Sequence, residues 1–297
     1  KKRQRRLYSM TKAIGFIGLG VMGFHMAGHL SKHNQIAVFN RTKKKSEIWS
    51  AKYNGKICNS PADLAKISDV IILCVGNDDD VRDIVTGYQG LLENIKPGSI
   101  IVDHTTTSAK LAKEIYELLD SNDIFYIDAP VSGGEVGAQS GMLSIMAGGN
   151  KDAYDQIKSI LEPYTKLIKY MGLSGSGQYT KMVNQICIAG LIQALAEGIN
   201  FSEKVGLDTK SVLEVVSNGA AQSWQMDNRW LTMLDDNYDH GFAVDLMRKD
   251  LEIVLDEANI NNINIEITKI INEFYKDIQK AGGGKWDTSS LLKRIEN

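Results

Sequence analysis

The stretch I-G-F-I-G-L-G-V-M-G over residues 14–23 constrains this chain more than any other, because an apolar run leads into Gly18-x-Gly20-x-x-Gly23 and then an amphipathic segment through Leu30. Strand, tight turn and helix in that order open a βαβ unit. The first glycine permits the turn, the second lets the backbone approach a pyrophosphate, and the third allows close helix packing. Free amides and the positive end of the helix dipole favour phosphate there. Gly18, Leu19, Gly20, Val21, Met22 and Gly23 are therefore read as a dinucleotide cradle.

Further apolar runs follow at Ile36–Phe39, Asp69–Val75, Ser99–Asp103, Ile124–Asp128 and Leu143–Ala147, separated by amphipathic stretches. Strands that alternate with helices predict a mainly parallel sheet covered on both faces. After Gly177 the periodicity is helical, with polar breaks near Gly206–Asp208, Asn218–Gly219 and Asn237–Gly241. Gln178–Val205 carries no proline and reads as one long helix. The expected fold is thus α/β: a doubly wound N-terminal Rossmann domain over residues 10–175 and an all-α C-terminal domain over 176–297, joined by a long interdomain helix. Residues 1–9 read as an extension outside the fold, with a transit-peptide fragment as the second choice, and Met10 reads as the natural start. Gly282-Gly283-Gly284 reads as a hinge before a short last helix.

A net charge of -2 provides no global basic field for nucleic acid. The three cysteines, Cys58, Cys74 and Cys187, lack any paired spacing, which argues against a disulfide framework and a zinc site. No apolar run is expected to reach the ~18 residues that span a bilayer. The chain is read as cytoplasmic, with the mitochondrial matrix as second choice, and as having neither a nucleic-acid nor a membrane partner.

Cofactor preference is read at the end of the second strand, where Asn40-Arg41-Thr42 stands in the place that NAD sites usually fill with a carboxylate, ~20 residues past the glycines. A carboxylate repels a 2′-phosphate, whereas neutral Asn40 with Arg41 and Thr42 offers donors and a guanidinium. NADP(H) is expected to be preferred, with NAD(H) also accepted. Lys44 and Lys45 read as a solvated helix start. Val75-Gly76 and the Asp103–Thr107 stretch lie at strand ends where open parallel sheets present loops to ligand. Asp78-Asp79-Asp80 reads as a helix cap and dipole partner rather than a metal site. His25, His29 and His33 recur at every fourth position, but no Cys or carboxylate completes a ligand set, and no metal is expected.

Candidate chemistry lies further on. D-A-P-V-S-G-G over residues 128–134 ends a strand with a stiff proline, the Ser132 hydroxyl and the mobile backbone of Gly133 and Gly134, a combination suited to a carboxylate or simply to a turn. Lys181 and Asn184 share one face of the long helix at i, i+3. From spacing alone a solvated surface lysine is the simpler reading. Partial burial would lower its pKa and let it exchange a proton near neutrality. His104, at a strand end, is the second acid/base candidate. Gln222, Trp224 and Arg229 read equally as substrate-pocket residues or as helix packing and capping.

The glycine fingerprint continued by Met22-Gly23-x-x-Met26-Ala27-x-His29-Leu30, the D-A-P-V-S-G-G segment, G-x-x-x-K-x-x-N at Gly177–Asn184 and Lys249-Asp250 together resemble the β-hydroxyacid dehydrogenase family over nearly all of the chain from Met10. That resemblance implies an active site between a Rossmann and a helical domain, with Lys181 catalytic and Asn184 orienting substrate. It also implies that Ser132, Gly133 and Gly134 bind the substrate carboxylate, that Thr106 contacts the nicotinamide side, and that Lys249, held by Asp250, approaches the cofactor. Two departures stand out: His33-Asn34 where a glycine is usual, and Val75-Gly76 where Leu-Pro is usual. The expected activity is NADP(H)-dependent interconversion of a small 3-hydroxy acid, or a 2-hydroxy acid such as glycolate, with its aldehyde or keto acid. Imine reduction or oxidation of a serine-type 3-hydroxy amino acid is the alternative. The expected partners are a small carboxylic acid substrate and further copies of the chain, as a dimer or tetramer.

Overall fold

The computed structural model describes residues 12–296, so the readings of residues 1–9 and of Met10 lie outside the described residues. Two compact units emerge, one running to Thr105 and resuming over Lys110–Gly177, the other comprising Thr106–Ala109 and the chain from Gln178 onward.

The first unit is built from β1 (Ile14–Ile17), α1 (Gly23–Ser31), β2 (Ile36–Phe39), α2 (Lys43–Lys52), β3 (Lys56–Ile57), α3 (Pro61–Lys66), β4 (Val70–Leu73) and α4 (Asp78–Thr86). It continues with β5 (Ile100–Asp103), α5 (Ala109–Asp120), β6 (Phe125–Asp128), β7 (Val131–Ser132), α6 (Gly134–Ser140), β8 (Leu143–Gly149), α7 (Lys151–Leu161) and β9 (Thr165–Gly172). Strand order is β3-β2-β1-β4-β5-β6-β8-β7, with β9 paired to β8. Pairing is parallel from β3 through β6. β8 then runs antiparallel to β6 and β7 and parallel to β9. Chain order reverses at β1, between β2 and β4, which makes the carboxyl ends of these strands the switch point where such sheets take ligand.

Side-chain alternation explains the two-sided cover. Phe16, Ile72 and Val102 enter one buried cluster, while Ile17, Ile71, Leu73 and Ile101 enter another on the opposite face. Strands apolar at every position must be covered twice. Helix starts are set by capping side chains: Ser60, Asn77 and Asn150 accept from Asp63, Asp80 and Ala153 amides at 3.0, 2.9 and 2.9 Å. β3, β7 and β9 were not among the expected runs. β3 and β7 are two residues each. Among the described residues β9 pairs only with β8, and its Lys166 and Lys169 are exposed, the polar character of an edge strand.

The second unit is helical: α8 (Ser176–Lys204), α9 (Thr209–Val216), α10 (Trp224–Leu234), α11 (Val244–Ile260), α12 (Glu266–Lys280) and α13 (Leu291–Glu296). Ala189, Ile192, Ala196 and Ile199, three or four residues apart on α8, join Trp230, Met247, Leu251, Ile271 and Tyr275 in one core. Contrary to the sequence expectation, α8 is long and apolar enough to cross a membrane by length and composition. Within this unit it is a core helix, and Gln178, Lys181, Gln185, Gln193 and Ser202 are buried along it. It ends where Gly206 takes a positive φ of 78° and Asp208 caps α9.

The β1–α1 turn is where backbone geometry leaves least choice. Gly18 has φ of 97°, and a Cβ there would lie 2.1 Å from the Cys74 carbonyl oxygen. A Cβ on Gly23 would lie 1.9 Å from the Gly18 oxygen, so α1 could not start so close to β1. Gly23→Ala is therefore expected to lower stability by about 1–3 kcal/mol, read as a drop in melting temperature. An unchanged melting temperature would contradict this account of the turn.

Candidate functional site

In the first unit the glycine turn is braced on two sides. Gly18 N donates to Phe39 O at 3.0 Å, and Leu19 N donates to Asn40 Oδ1 at 2.8 Å. The Leu19 side chain is buried, whereas that of Val21 is exposed. The amides of Gly20, Val21 and Met22 form no hydrogen bond among the described residues. A Cβ added at Gly20 would meet nothing within 4 Å. Open donors at a helix start, with free space over the second glycine, fit a pyrophosphate.

Asn40 does more than leave out a negative charge. Its oxygen receives the Leu19 amide, and its Nδ2 donates to Thr42 O at 3.1 Å, so the side chain ties the glycine turn to the end of β2. Arg41 extends into solvent with its side chain 83 % exposed, and its Nη1 lies 2.8 Å from Asp80 Oδ1. Thr42 caps α2 in extended conformation without a side-chain cap bond. Next to this, Val75 N donates to Thr105 Oγ1 at 3.1 Å and Gly76 N to Asp80 Oδ2 at 3.2 Å.

Asp103 lies beneath these loops. It is fully buried and accepts from Thr105 N at 2.9 Å and Tyr126 OH at 2.8 Å. Burial pushes its carboxyl up to about 6, against the hydrogen bonds from Thr105 and Tyr126. Ser132 ends β7 opposite Ser144 on β8. Gly133 and Gly134, at φ 134° and 62°, turn the chain into α6 through conformations that favour glycine.

In the second unit the candidate side chains cluster on α8 and α11. Lys181 is only 8 % exposed. Burial lowers its pKa from the ordinary 10.5; the charge of Asp250 opposes the shift and that of Lys249 adds to it. Asn184 Nδ2 donates to Gln185 Oε1 at 2.7 Å, and Gln185 Nε2 donates to Asp250 Oδ2 at 2.7 Å. Lys249 Nζ lies 3.1 Å from Asp250 Oδ1 and donates to Thr106 O at 2.8 Å. Gln178 Oε1 receives the Thr107 amide at 3.1 Å. The segment carrying Thr106 is thereby fastened by α8 and α11.

Comparison with known proteins shows the family of the chain. Residues 13–172 match the NAD binding domain of 6-phosphogluconate dehydrogenase, and residues 175–295 match the NAD-binding domain of NADP-dependent 3-hydroxyisobutyrate dehydrogenase. An oxidoreductase of Shewanella frigidimarina is 49 % identical over 95 % of this chain and 98 % of its own. The 2-hydroxy-3-oxopropionate reductase of Escherichia coli is 32 % identical over 95 % and 97 %. The chain belongs to the β-hydroxyacid dehydrogenase family. The structure of Mycobacterium tuberculosis 3-hydroxyisobutyrate dehydrogenase with L-serine superposes with a TM-score of 0.89 at 25 % identity, covering 97 % of this chain and 100 % of that one.

As a β-hydroxyacid dehydrogenase of the 3-hydroxyisobutyrate dehydrogenase type, the protein is an NAD(P)-dependent oxidoreductase acting on CH–OH groups. His104, the second acid/base candidate, is buried with Nδ1 2.6 Å from Ala129 O and Nε2 2.8 Å from Tyr164 OH. Since the carbonyl only accepts, Nδ1 carries the proton and Nε2 receives the Tyr164 hydroxyl. Burial lowers its pKa to about 4, leaving a neutral structural ring already committed at both nitrogens.

Arg229 is likewise committed to packing. It pairs with buried Asp287 at 3.1 Å and stacks over Trp224 at 5.0 Å, and Gln222 donates to Asp227 at 2.6 Å. His29 Nε2 faces the Ala138 and Gln139 carbonyls at 3.1 and 3.0 Å. Among the described residues no group of three or more His, Cys, Asp or Glu is placed to hold a metal. Sequence reasoning missed Gln178 and Gln185, which flank Lys181 at i−3 and i+4 on the same helical face. That spacing was the available signal. It also missed Asp80, whose partner Arg41 is 39 residues away in sequence.

Substituting His104→Gln should lower the melting temperature, since it disturbs two buried hydrogen bonds at about 1–3 kcal/mol each. The pH profile of turnover should keep its wild-type midpoints. A displaced or lost midpoint would return His104 to the chemistry.

Proposed function

We propose that this β-hydroxyacid dehydrogenase interconverts a small 3-hydroxy acid, or a 2-hydroxy acid such as glycolate, with its aldehyde or keto acid, using NADP(H) in preference to NAD(H), with Lys181 as general acid/base. The observation that carries the reading is the buried Lys181 amine, held at lowered pKa beside Asp250 and Lys249. An ordinary surface lysine would remain charged well above neutrality. This one is poised to give up and regain its proton.

When bound, a reduced nicotinamide supplies the hydride that the carbonyl carbon takes up. Lys181 as ammonium gives its proton to the oxygen, so the alkoxide becomes a hydroxyl, and in oxidation the neutral amine removes the hydroxyl proton. Asn184, anchored through Gln185 to Asp250, orients the substrate from the same helix. Ser132 with the Gly133 and Gly134 amides takes the substrate carboxylate. Thr106 and Lys249 take the nicotinamide side in this reading, and the Lys249 ammonium is bonded to the Thr106 carbonyl. The cradle amides Gly20, Val21 and Met22 take the pyrophosphate, with Gly18, Leu19 and Gly23 shaping the turn.

Support for NADP(H) comes from neutral Asn40 and the exposed guanidinium of Arg41 beside Thr42. The matched family model for residues 175–295 is itself described as that of an NADP-dependent enzyme. Val75 and Gly76 border the same face through their bonds to Thr105 and Asp80. A dimer or tetramer in the cytoplasm completes the reading, with residues 10–175 as cofactor domain and 176–297 as substrate and oligomerisation domain.

The test is a panel of glyoxylate, succinic semialdehyde, tartronate semialdehyde, 3-hydroxyisobutyrate and serine, run with both cofactors. One hydroxy or aldehyde acid with NADP(H) should dominate, and inactivity on every acid would contradict the reading. Lys181→Ala should reduce turnover by about 10²–10⁴-fold with NADPH binding nearly unchanged; retained turnover would remove Lys181 from its role. The sign of the pH dependence follows from the lowered pKa. Reduction needs the ammonium and should decline as pH rises through a value below 10.5, while oxidation needs the free amine and should rise through the same value.

A further inference from the structure

We propose that Asp80 is an internal competitor for the guanidinium that would recognise a 2′-phosphate, so that this one carboxylate tunes discrimination between NADPH and NADH. The inference rests on the reading of Arg41 given above and names a residue that reading does not contain. Three observations carry it. Arg41 Nη1 lies 2.8 Å from Asp80 Oδ1, and Arg41 forms no other hydrogen bond or ion pair among the described residues. The second Asp80 oxygen accepts the Gly76 amide at 3.2 Å, and the Asp80 amide donates to Asn77 Oδ1 at 2.9 Å, which fastens the carboxylate to the β4–α4 turn. The exposures are unequal: 83 % for the Arg41 side chain and 24 % for Asp80.

The fixed partner is therefore the anion and the free one is the cation. An exposed pair of this kind contributes little stability, so Arg41 exchanges one anion for another at low cost. A 2′-phosphate arriving at Arg41 must take the guanidinium from Asp80 and then sit near a carboxylate of the same sign. A 2′-hydroxyl faces neither demand. Of the other acidic residues in the first turn of α4, Asp79 lies 3.5 Å from Arg82 and points to a different cation. The Gly76 contact also explains why a residue with a Cβ is awkward there, since that atom would stand 2.6 Å from Asp80 Oδ2. The departure at Val75-Gly76 thus admits the carboxylate that pairs with Arg41.

Asp80→Asn separates charge from shape, because the amide oxygen still accepts from Gly76 N. Calorimetric titration of NADP⁺ and NAD⁺ into the wild type, Asp80→Asn, Arg41→Ala and the double variant tests the proposal. Asp80→Asn should tighten NADP⁺ by about three- to tenfold, the effect of removing one unit of like charge at this range, and leave NAD⁺ unchanged. The gain should vanish in the Arg41→Ala background. An unchanged or lowered NADP⁺ to NAD⁺ preference in Asp80→Asn overturns the inference alone when Arg41→Ala still weakens NADP⁺. An NADP⁺ affinity indifferent to Arg41→Ala, or binding of neither nucleotide, overturns the NADP(H) reading and the inference with it.

Discussion

A single buried carboxylate, Asp250, ties together the polar side chains of the helical unit on which the proposed chemistry rests. It lies at 3.1 Å from the Lys249 ammonium and receives the Gln185 amide at 2.7 Å, and its charge is what keeps the Lys181 amine from losing its proton still more readily. Burying an ammonium without an anion nearby is costly, and the usual outcome is a neutral amine. At Lys181 burial and the neighbouring charge of Lys249 push the pKa down, and the charge of Asp250 works against them. An amine whose pKa is drawn down in this way suits the acid/base role proposed for it.

The same carboxylate organises geometry. Gln185 links it by hydrogen bonds to Asn184, and its ion pair with Lys249 leads on to the hydrogen bond between Lys249 and the carbonyl of Thr106, so the candidate groups in this unit form one polar chain. In the Rossmann unit, Asn40 performs the comparable task. It holds the Leu19 amide and so fixes the glycine turn, in which the amides of Gly20, Val21 and Met22 form no hydrogen bond among the described residues.

Much of this was legible from the residues. Gly18 and Gly23 stand where a Cβ would strike backbone, so the turn could hardly be written another way. The long helix was readable because no proline interrupts it, and the doubly wound sheet because β1, β4 and β5 are apolar on both faces. What escaped the reading depended on distance or on burial. β9 is an edge strand whose lysines break the apolar pattern. Asp80 was explained locally as part of an acidic helix start, while its partner lay far along the chain. His104 sat at an informative strand end, yet its two ring nitrogens were already taken, which only coordinates reveal. Gln185 was within reach of simple helical spacing.

The central claim concerns the state of one amine, and it is open to direct observation. Carbon-13 labelling of lysine, with the Lys181 resonance assigned through a Lys181→Arg variant, allows its titration to be followed by NMR in the folded protein without substrate. The account predicts a midpoint clearly below 10.5, shifted further down when Asp250 is replaced by Asn. A midpoint at or above 10.5, indifferent to Asp250, would contradict it.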